Sequence, residues 1–259
     1  MALLEIKLSG VTADRAIRRL GFSGHFHCDA IGFSGGIWVL WNTEEVSADV
    51  LFSHHQLVHT KICWVKENRE EFMTFIYASS QRQERIQLWK ILSSLFDQSM
   101  RNAAWGIAGD FNTYLYEYEK LGGNGINWNS MREFRDCLDE CSLSDIGNQG
   151  PTFTWQRINL QERLDRVCAI YNWNLVFPNR VALFGSDHRP VLLWEGQPAI
   201  YPRGERPFHF LASWLTKRTF HEVVNGCWSN NVNWMHAMET FRINASEWHR
   251  NVYRIGMKI

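Results

Sequence analysis

The sequence predicts an α/β fold in which two mostly antiparallel sheets pack together with helices on the outside. Three observations lead there. Strand-like runs outnumber helical ones and recur at hairpin-like spacings. Two segments with clear helical periodicity interrupt them. Asp residues stand at the edges of several apolar runs, as at loop–strand junctions. A doubly wound fold would instead show regular strand–helix alternation.

The elements follow in order. Ala2-Leu3-Leu4-Glu5 reads as a strand at the very start. Thr12 is placed to cap a short helix over Ala13–Leu20, with Arg18 and Arg19 near its end and Gly21 as its stop. Gly35-Gly36 opens the strand Ile37–Trp41. Further strands are expected at Ala48–Phe52, Leu57–Val65 and Phe72–Ala78, the second with polar–apolar alternation. Leu88, Trp89, Leu92, Leu95 and Phe96 keep helical spacing and predict a helix over Gln83–Asp97. Ala104–Ala108 is a short strand running into Asp110. Ser130 and Glu133 read as a capping box for a helix with Phe134, Leu138 and Cys141 on one face. Gly150-Pro151 marks a turn. Leu164–Ala169, Val181–Phe184 and Val191–Trp194 complete the strands. Gly122-Gly123-Asn124-Gly125 lacks the Lys-Ser/Thr of a phosphate loop and reads as a flexible surface loop.

A boundary is expected after Trp194, where Gly196, Pro198, Pro202, Gly204 and Pro207 break regular structure. The chain therefore divides into a domain over 1–195 and a linker with a helical segment over 196–259. In the latter, Trp234, Met238, Phe241, Ala245, Trp248, Val252 and Ile255 form a heptad-like seam. Such a seam either packs within its own unit or contacts a further domain.

Composition narrows the function classes. The 259 residues are 45% hydrophobic and 21% charged, which suits a globular protein. The formal net charge is zero, so any attraction for phosphate must come from local groups such as Arg82/Arg85 or Arg157/Arg163/Arg166/Arg189. The 13 Trp call for extensive packing surfaces and partners for their N–H groups. None of the 6 Cys forms a CxxC pair, which argues against zinc. A buried helical face accounts for Cys137 and Cys141. His54, His55 and His59 read as a strand-edge cluster rather than a metal site. No signal peptide and no long apolar span are present, so a nuclear or cytoplasmic location and no membrane partner are expected.

Three Asp-centred motifs carry the chemistry: Gly109-Asp110-Phe111-Asn112, Arg163-Leu164-Asp165 and Ser186-Asp187-His188. Phosphodiester hydrolysis needs a cation to offset phosphate charge, an oriented water and donors for the non-bridging oxygens. Carboxylates at strand ends suit Mg²⁺, and a His beside an Asp suits a base of fixed tautomer. Taken singly, each motif is equally a turn or a surface pair.

Together and in this order the motifs resemble the endonuclease/exonuclease/phosphatase superfamily. Leu4-Glu5 looks like its glutamate strand, with Ile6 where Thr is usual, and Phe75-Ile76-Tyr77-Ala78 like its tyrosine strand. Glu119-Lys120-Leu121-Gly122-Gly123, Phe134–Asp139 and Gly150–Trp155 are similar to segments of endonuclease domains in plant LINE-type (non-LTR) retrotransposons. The resemblance covers Leu3 to Trp194. It implies a four-layer α/β sandwich, Mg²⁺ (or Mn²⁺) as cofactor and DNA as partner.

It also implies roles. Glu5 ligates the metal, and Asp187 belongs to the metal and water network. Tyr77 donates to the scissile phosphate. Asp110 and Asn112 position or activate water. His188 contacts phosphate or acts as base, and Asp165 orients it. The family begins one strand earlier, with a Trp-Asn motif that no segment here imitates, so its first strand is expected to be missing. Arg206–Phe210 and the 234–255 helix resemble the segment preceding reverse transcriptase, implying contact with a downstream domain of that kind. The implied function is a DNA-nicking endonuclease of a retrotransposon, impaired by truncation. The alternatives are an inactive remnant serving as a binding module, and a phosphatase of the same superfamily.

Overall fold

The computed structural model of the chain describes residues 1–29, 35–147, 151–177, 180–184, 191–195 and 218–227, together with residues 237, 240, 241, 243–245, 247 and 248. Two compact units are present, Met1–Ile200 and Tyr201–Ile259. The strands of the first unit are β1 (Ala2–Leu4), β2 (Gly24–Cys28), β3 (Ile37–Trp41), β4 (Val46–His54), β5 (Leu57–Trp64), β6 (Arg69–Tyr77), β7 (Trp105–Asp110), β8 (Lys120–Gly122), β9 (Ser144–Asp145), β10 (Trp155–Arg157), β11 (Leu160–Glu162), β12 (Asp165–Ala169), β13 (Arg180–Phe184) and β14 (Val191–Glu195). Its helices are α1 (Gly10–Arg19), α2 (Arg82–Leu95), α3 (Trp128–Glu140) and α4 (Tyr171–Val176).

The strands form sheets ordered β1-β3-β2, β4-β5-β6-β7-β12-β9, β10-β11-β8 and β13-β14. Among the described strands, β6 and β7 pair in parallel, joined through α2; the other pairs are antiparallel. The mixed α/β class and its antiparallel bias agree with the sequence.

The unbroken apolar run of β3 is explained by burial on both faces. Ile37 and Val39 cluster with Val58 and Phe75 of the six-stranded sheet, while Trp38 and Leu40 pack on Ala13 and Ile17 of α1. The other face of the large sheet buries Ile76, Trp105, Ile107 and Val167 beneath Leu88, Trp89 and Leu92 of α2 and Phe134 and Leu138 of α3. Two indoles find their N–H partner in one buried carboxylate: Glu71 accepts from Trp64 and Trp173, each at 2.8 Å, and from Arg180 at 2.7 Å.

Local expectations fail where tertiary partners take over. Helix α1 starts at Gly10 rather than Ala13, because the Asp29 carboxylate accepts the Gly10 N–H and Thr12 lies inside the first turn. The capping box is absent. Asn127 is the cap, its side chain accepting the Ser130 N–H at 3.1 Å. Ser130 and Glu133 instead join α3 to α2: Arg85 donates to the Ser130 hydroxyl at 2.7 Å, and Arg82 donates from Nε to Glu133 at 3.0 Å and again from a terminal nitrogen. Gly122 is no loose loop. It ends β8 opposite Leu160, and an added Cβ would sit 1.8 Å from the Asn159 carbonyl oxygen.

In the second unit, α5 (Arg218–Cys227) brings Phe220 against Phe241, Ala245 and Trp248. The described part of the heptad-like seam is thus covered within its own unit. Trp234, Met238, Val252 and Ile255 lie outside the described residues.

Candidate active site

Tyr77 ends β6, Asp110 ends β7 and Asp165 begins β12. The register puts Tyr77 opposite Asp110, and Asp110 opposite Asp165. Register partners on neighbouring strands carry their side chains on the same face. A phenol and two carboxylates therefore form a row across one end of the sheet.

Glu5 reaches this row from the other sheet. It follows β1 with a φ of 59°. The chain is tied there by the Ile6 N–H on the Gly36 carbonyl. Gly36 itself must be glycine, with a φ of 90° and an added Cβ only 1.9 Å from the Ile6 oxygen. The Glu5 carboxylate lies near the Tyr77 phenol. Burial first, then the negative charges of Glu5 and Asp110, push the phenol well above its ordinary pKa. Tyr77 is therefore a donor at any working pH. The Glu5 side chain stays 43% exposed, with Lys7 at 3.7 Å.

Asp110 is buried, and the turn after it is built on its carboxylate. Oδ1 accepts the Asn112 N–H at 2.8 Å, an Asx-type turn that sets Asn112 at φ 47°. The Asn112 amide nitrogen donates to the Ala78 carbonyl at 2.7 Å and to Asp110 Oδ2 at 3.3 Å. With that nitrogen engaged, its carboxamide oxygen is what Asn112 can offer a ligand. Gly109 makes room for the strand end: at φ 147°, a Cβ there would lie 1.9 Å from the Ile76 oxygen.

Asp165 is 7% exposed. The Thr154 hydroxyl oxygen accepts the N–H groups of Leu164 and Asp165, each at 3.0 Å. Burial pushes the Asp165 carboxyl up to about 6, against the opposing pull of Thr154 and Arg166. Its Oδ2 is buried without a hydrogen-bond partner among the described residues. A buried carboxylate oxygen left open in this way calls for a donor.

Arg163 and Arg166 are not that donor, and they do not serve phosphate as the sequence suggested. Both are committed to a buried network. Arg166 forks onto Glu119, at 3.0 Å for one of its bonds, and reaches Asp145 at 2.7 Å. Arg163 pairs with the same two carboxylates at 3.0 Å each. Glu119 also accepts the N–H groups of Leu115 and Tyr116 at 2.8 and 3.1 Å, which fixes the loop after Asn112. Arg82 and Arg85 are likewise spent between α2 and α3. Sequence reading missed Thr154 and the structural role of Glu119, because neither sits at a period or spacing that betrays its partner.

Asp187 and His188 lie outside the described residues, as do Ser186 and Arg189. Among the described residues no group of three or more His, Cys, Asp or Glu stands together as a metal cage. Mg²⁺ does not require one. It keeps several waters and is held through one or two carboxylates plus substrate phosphate. The part-exposed Glu5 carboxylate beside Tyr77 and Asp110 fits that demand. His54 and His55 lie at a sheet edge with ring centroids 3.9 Å apart and planes tilted by 41°, while His59 is buried against Thr74 at 2.8 Å. Cys137 and Cys141 are both buried in the core.

The fold is similar to that of a solved 3′ phosphatase. The 3′ phosphatase NExo from Neisseria, solved with a product DNA hairpin, matches at a TM-score of 0.54 and 14% identity, over 75% of this chain and 88% of that one. The endonuclease domain of TRAS1, a telomere-specific non-LTR retrotransposon, matches at 0.44 and 13%, over 61% and 70%. The human Nocturnin catalytic domain matches at 0.42 and 13%, over 66% and 68%. At 14% identity the likeness to the first of these shows the fold alone. No protein-family model and no curated protein matches the sequence.

Proposed function

We propose that this chain is a Mg²⁺-dependent (or Mn²⁺-dependent) phosphodiesterase that nicks DNA, of the kind found in non-LTR retrotransposons. The observation that carries the reading is the row Tyr77–Asp110–Asp165 across the strand ends, with the Glu5 carboxylate near its phenol end. Tyr77 donates to a non-bridging phosphate oxygen. Asp110, held by Asn112, orients the attacking water and draws off its proton. The open Oδ2 of Asp165 accepts an N–H from His188, fixing that ring against the phosphate. Glu5 would hold the metal, with Asp187 in its water network, and the cation, when bound, would supply charge that offsets the charge developing on the phosphate. The burial of both faces of β3 supports a four-layer arrangement around this site, within a domain spanning 1–195 and followed by a separate segment over 196–259.

The test is relaxation of supercoiled plasmid in Mg²⁺ and in excess chelator, by wild type and His188→Ala. Nicking that needs Mg²⁺ and is lost in the variant supports the reading. Equal nicking by both proteins overturns it. A second reading, phosphomonoester hydrolysis, is favoured by the likeness to a 3′ phosphatase. Release of phosphate from a 3′-phosphorylated hairpin without plasmid nicking selects it.

A further inference from the structure

We propose that the cleft between Tyr116, Tyr118 and the start of α3 binds unpaired nucleobases of a strand whose phosphate enters the site above; the inference deepens the phosphodiesterase reading and rests on it. The cleft has a volume of about 600 Å³ and is lined chiefly by Tyr116, Glu117, Tyr118, Trp128, Arg132 and Arg135. Three aromatic rings stand open here: Tyr118 is 66% exposed, Trp128 58% and Tyr116 43%. Rings of this size are normally buried.

The platform is prebuilt. The Tyr116 and Tyr118 rings are parallel to within 6°, with centroids 5.2 Å apart. The Arg135 guanidinium lies 5.3 Å from the Tyr116 centroid and donates to the Leu115 carbonyl at 2.7 Å. The Tyr116 N–H is bound to Glu119, so the buried ion network of β12 anchors the same loop. A stacking surface held this firmly loses little entropy when a base lands on it.

Location and charge select the occupant. The start of α3 borders a second, smaller cavity of about 200 Å³. Asn127 and Ser130 line it together with Asn112, Lys120 and Arg85, while Trp128, Asn129 and Met131 line the cleft. The cleft therefore lies across one turn of α3 from the cavity that Asn112 lines. Arg132 and Arg135 supply positive charge along it against the single carboxylate of Glu117. Flat parallel aromatic faces next to cations suit bases on a phosphate backbone. Bases of a duplex are already stacked on one another, so the ligand is an unpaired stretch, read without sequence preference.

The experiment measures binding of a fluorescent oligothymidylate of about ten nucleotides in excess chelator, where no cleavage occurs. The wild type is compared with Tyr118→Ala, Trp128→Ala and Trp128→Phe, with thermal melts to show each variant folded. The expected result is affinity reduced roughly 5- to 150-fold in either alanine variant, largely restored in Trp128→Phe, with little change for a blunt duplex. Equal affinity across the proteins overturns the inference, as does an equal loss for single strand and duplex. A wild type that does not bind the oligonucleotide also overturns it and leaves the cleft to a protein partner. Plasmid nicking by the wild type separates the two ideas. Nicking with variant-independent binding sinks the cleft alone, and Trp128-dependent binding without nicking sinks the phosphodiesterase reading alone.

Discussion

In the proposed reaction, Asp165 is the side chain whose charge state is most open to test. Its carboxyl is raised to about 6 by burial, with Thr154 and Arg166 holding it from rising further. The ionised form is the stronger acceptor of an N–H at Oδ2, and the ionised fraction grows as pH rises through about 6. Nicking should therefore climb about tenfold per pH unit below that value and level off above it. Asp165→Asn should lose about 10²–10⁴-fold in rate together with that acid limb, measured as nicking rate against pH. Gly109 is the residue least open to change. At φ 147° and with the Ile76 oxygen 1.9 Å from any Cβ, Gly109→Ala should cost on the order of 3 kcal/mol or more, read as a fall in the urea midpoint.

At the scale of elements, α3 shows what the sequence could and could not convey. The apolar positions of α2 and α3 announce both helices, because Trp89, Leu92, Phe134 and Leu138 must face one core. The cap was misread, because Ser130 and Glu133 form a local pattern whose side chains are claimed by Arg85 and Arg82 of another helix. Asn127→Ala should therefore cost about 1 kcal/mol, whereas Glu133→Gln should leave the cap intact; thermal melts of the two variants check this. Strands β8, β10 and β11 went unread because each has three residues and little alternation. The site was legible in parts. Tyr77, Asp110 and Asp165 each stand at the edge of an apolar run. The register that aligns them, and the open oxygen on Asp165, arise only when the sheet forms.

At the scale of the whole molecule, a net charge of zero conceals two strongly ionic interiors. Glu119, Asp145, Arg163 and Arg166 form one, and Glu71 with Arg180 the other. Removing one partner strands a buried charge, so Glu119→Ala should destabilise the fold by about 3–5 kcal/mol and free the 115–119 loop, measured by urea titration. Stability against pH carries two opposed contributions. The folded pKa of His59 is depressed to about 4 from 6.5 by burial, so its contribution is present above 6.5 and lost as pH falls through 4. The folded pKa of Asp165 is raised to about 6 from 3.8, so its contribution is present below 3.8 and lost as pH rises through 6. Between pH 4 and 6 the two offset each other, and the wild-type midpoint should change little. Asp165→Asn should expose the His59 slope, with stability falling steadily as the solution is acidified.

The central claim is that the strand-end row does chemistry on phosphodiesters. The most direct measurement is the first-order rate of supercoiled plasmid relaxation at saturating Mg²⁺ for Asp110→Asn against wild type, with matched thermal melts. The account predicts a rate at least about 10²-fold lower in a variant that melts as the wild type does. Equal rates would contradict it.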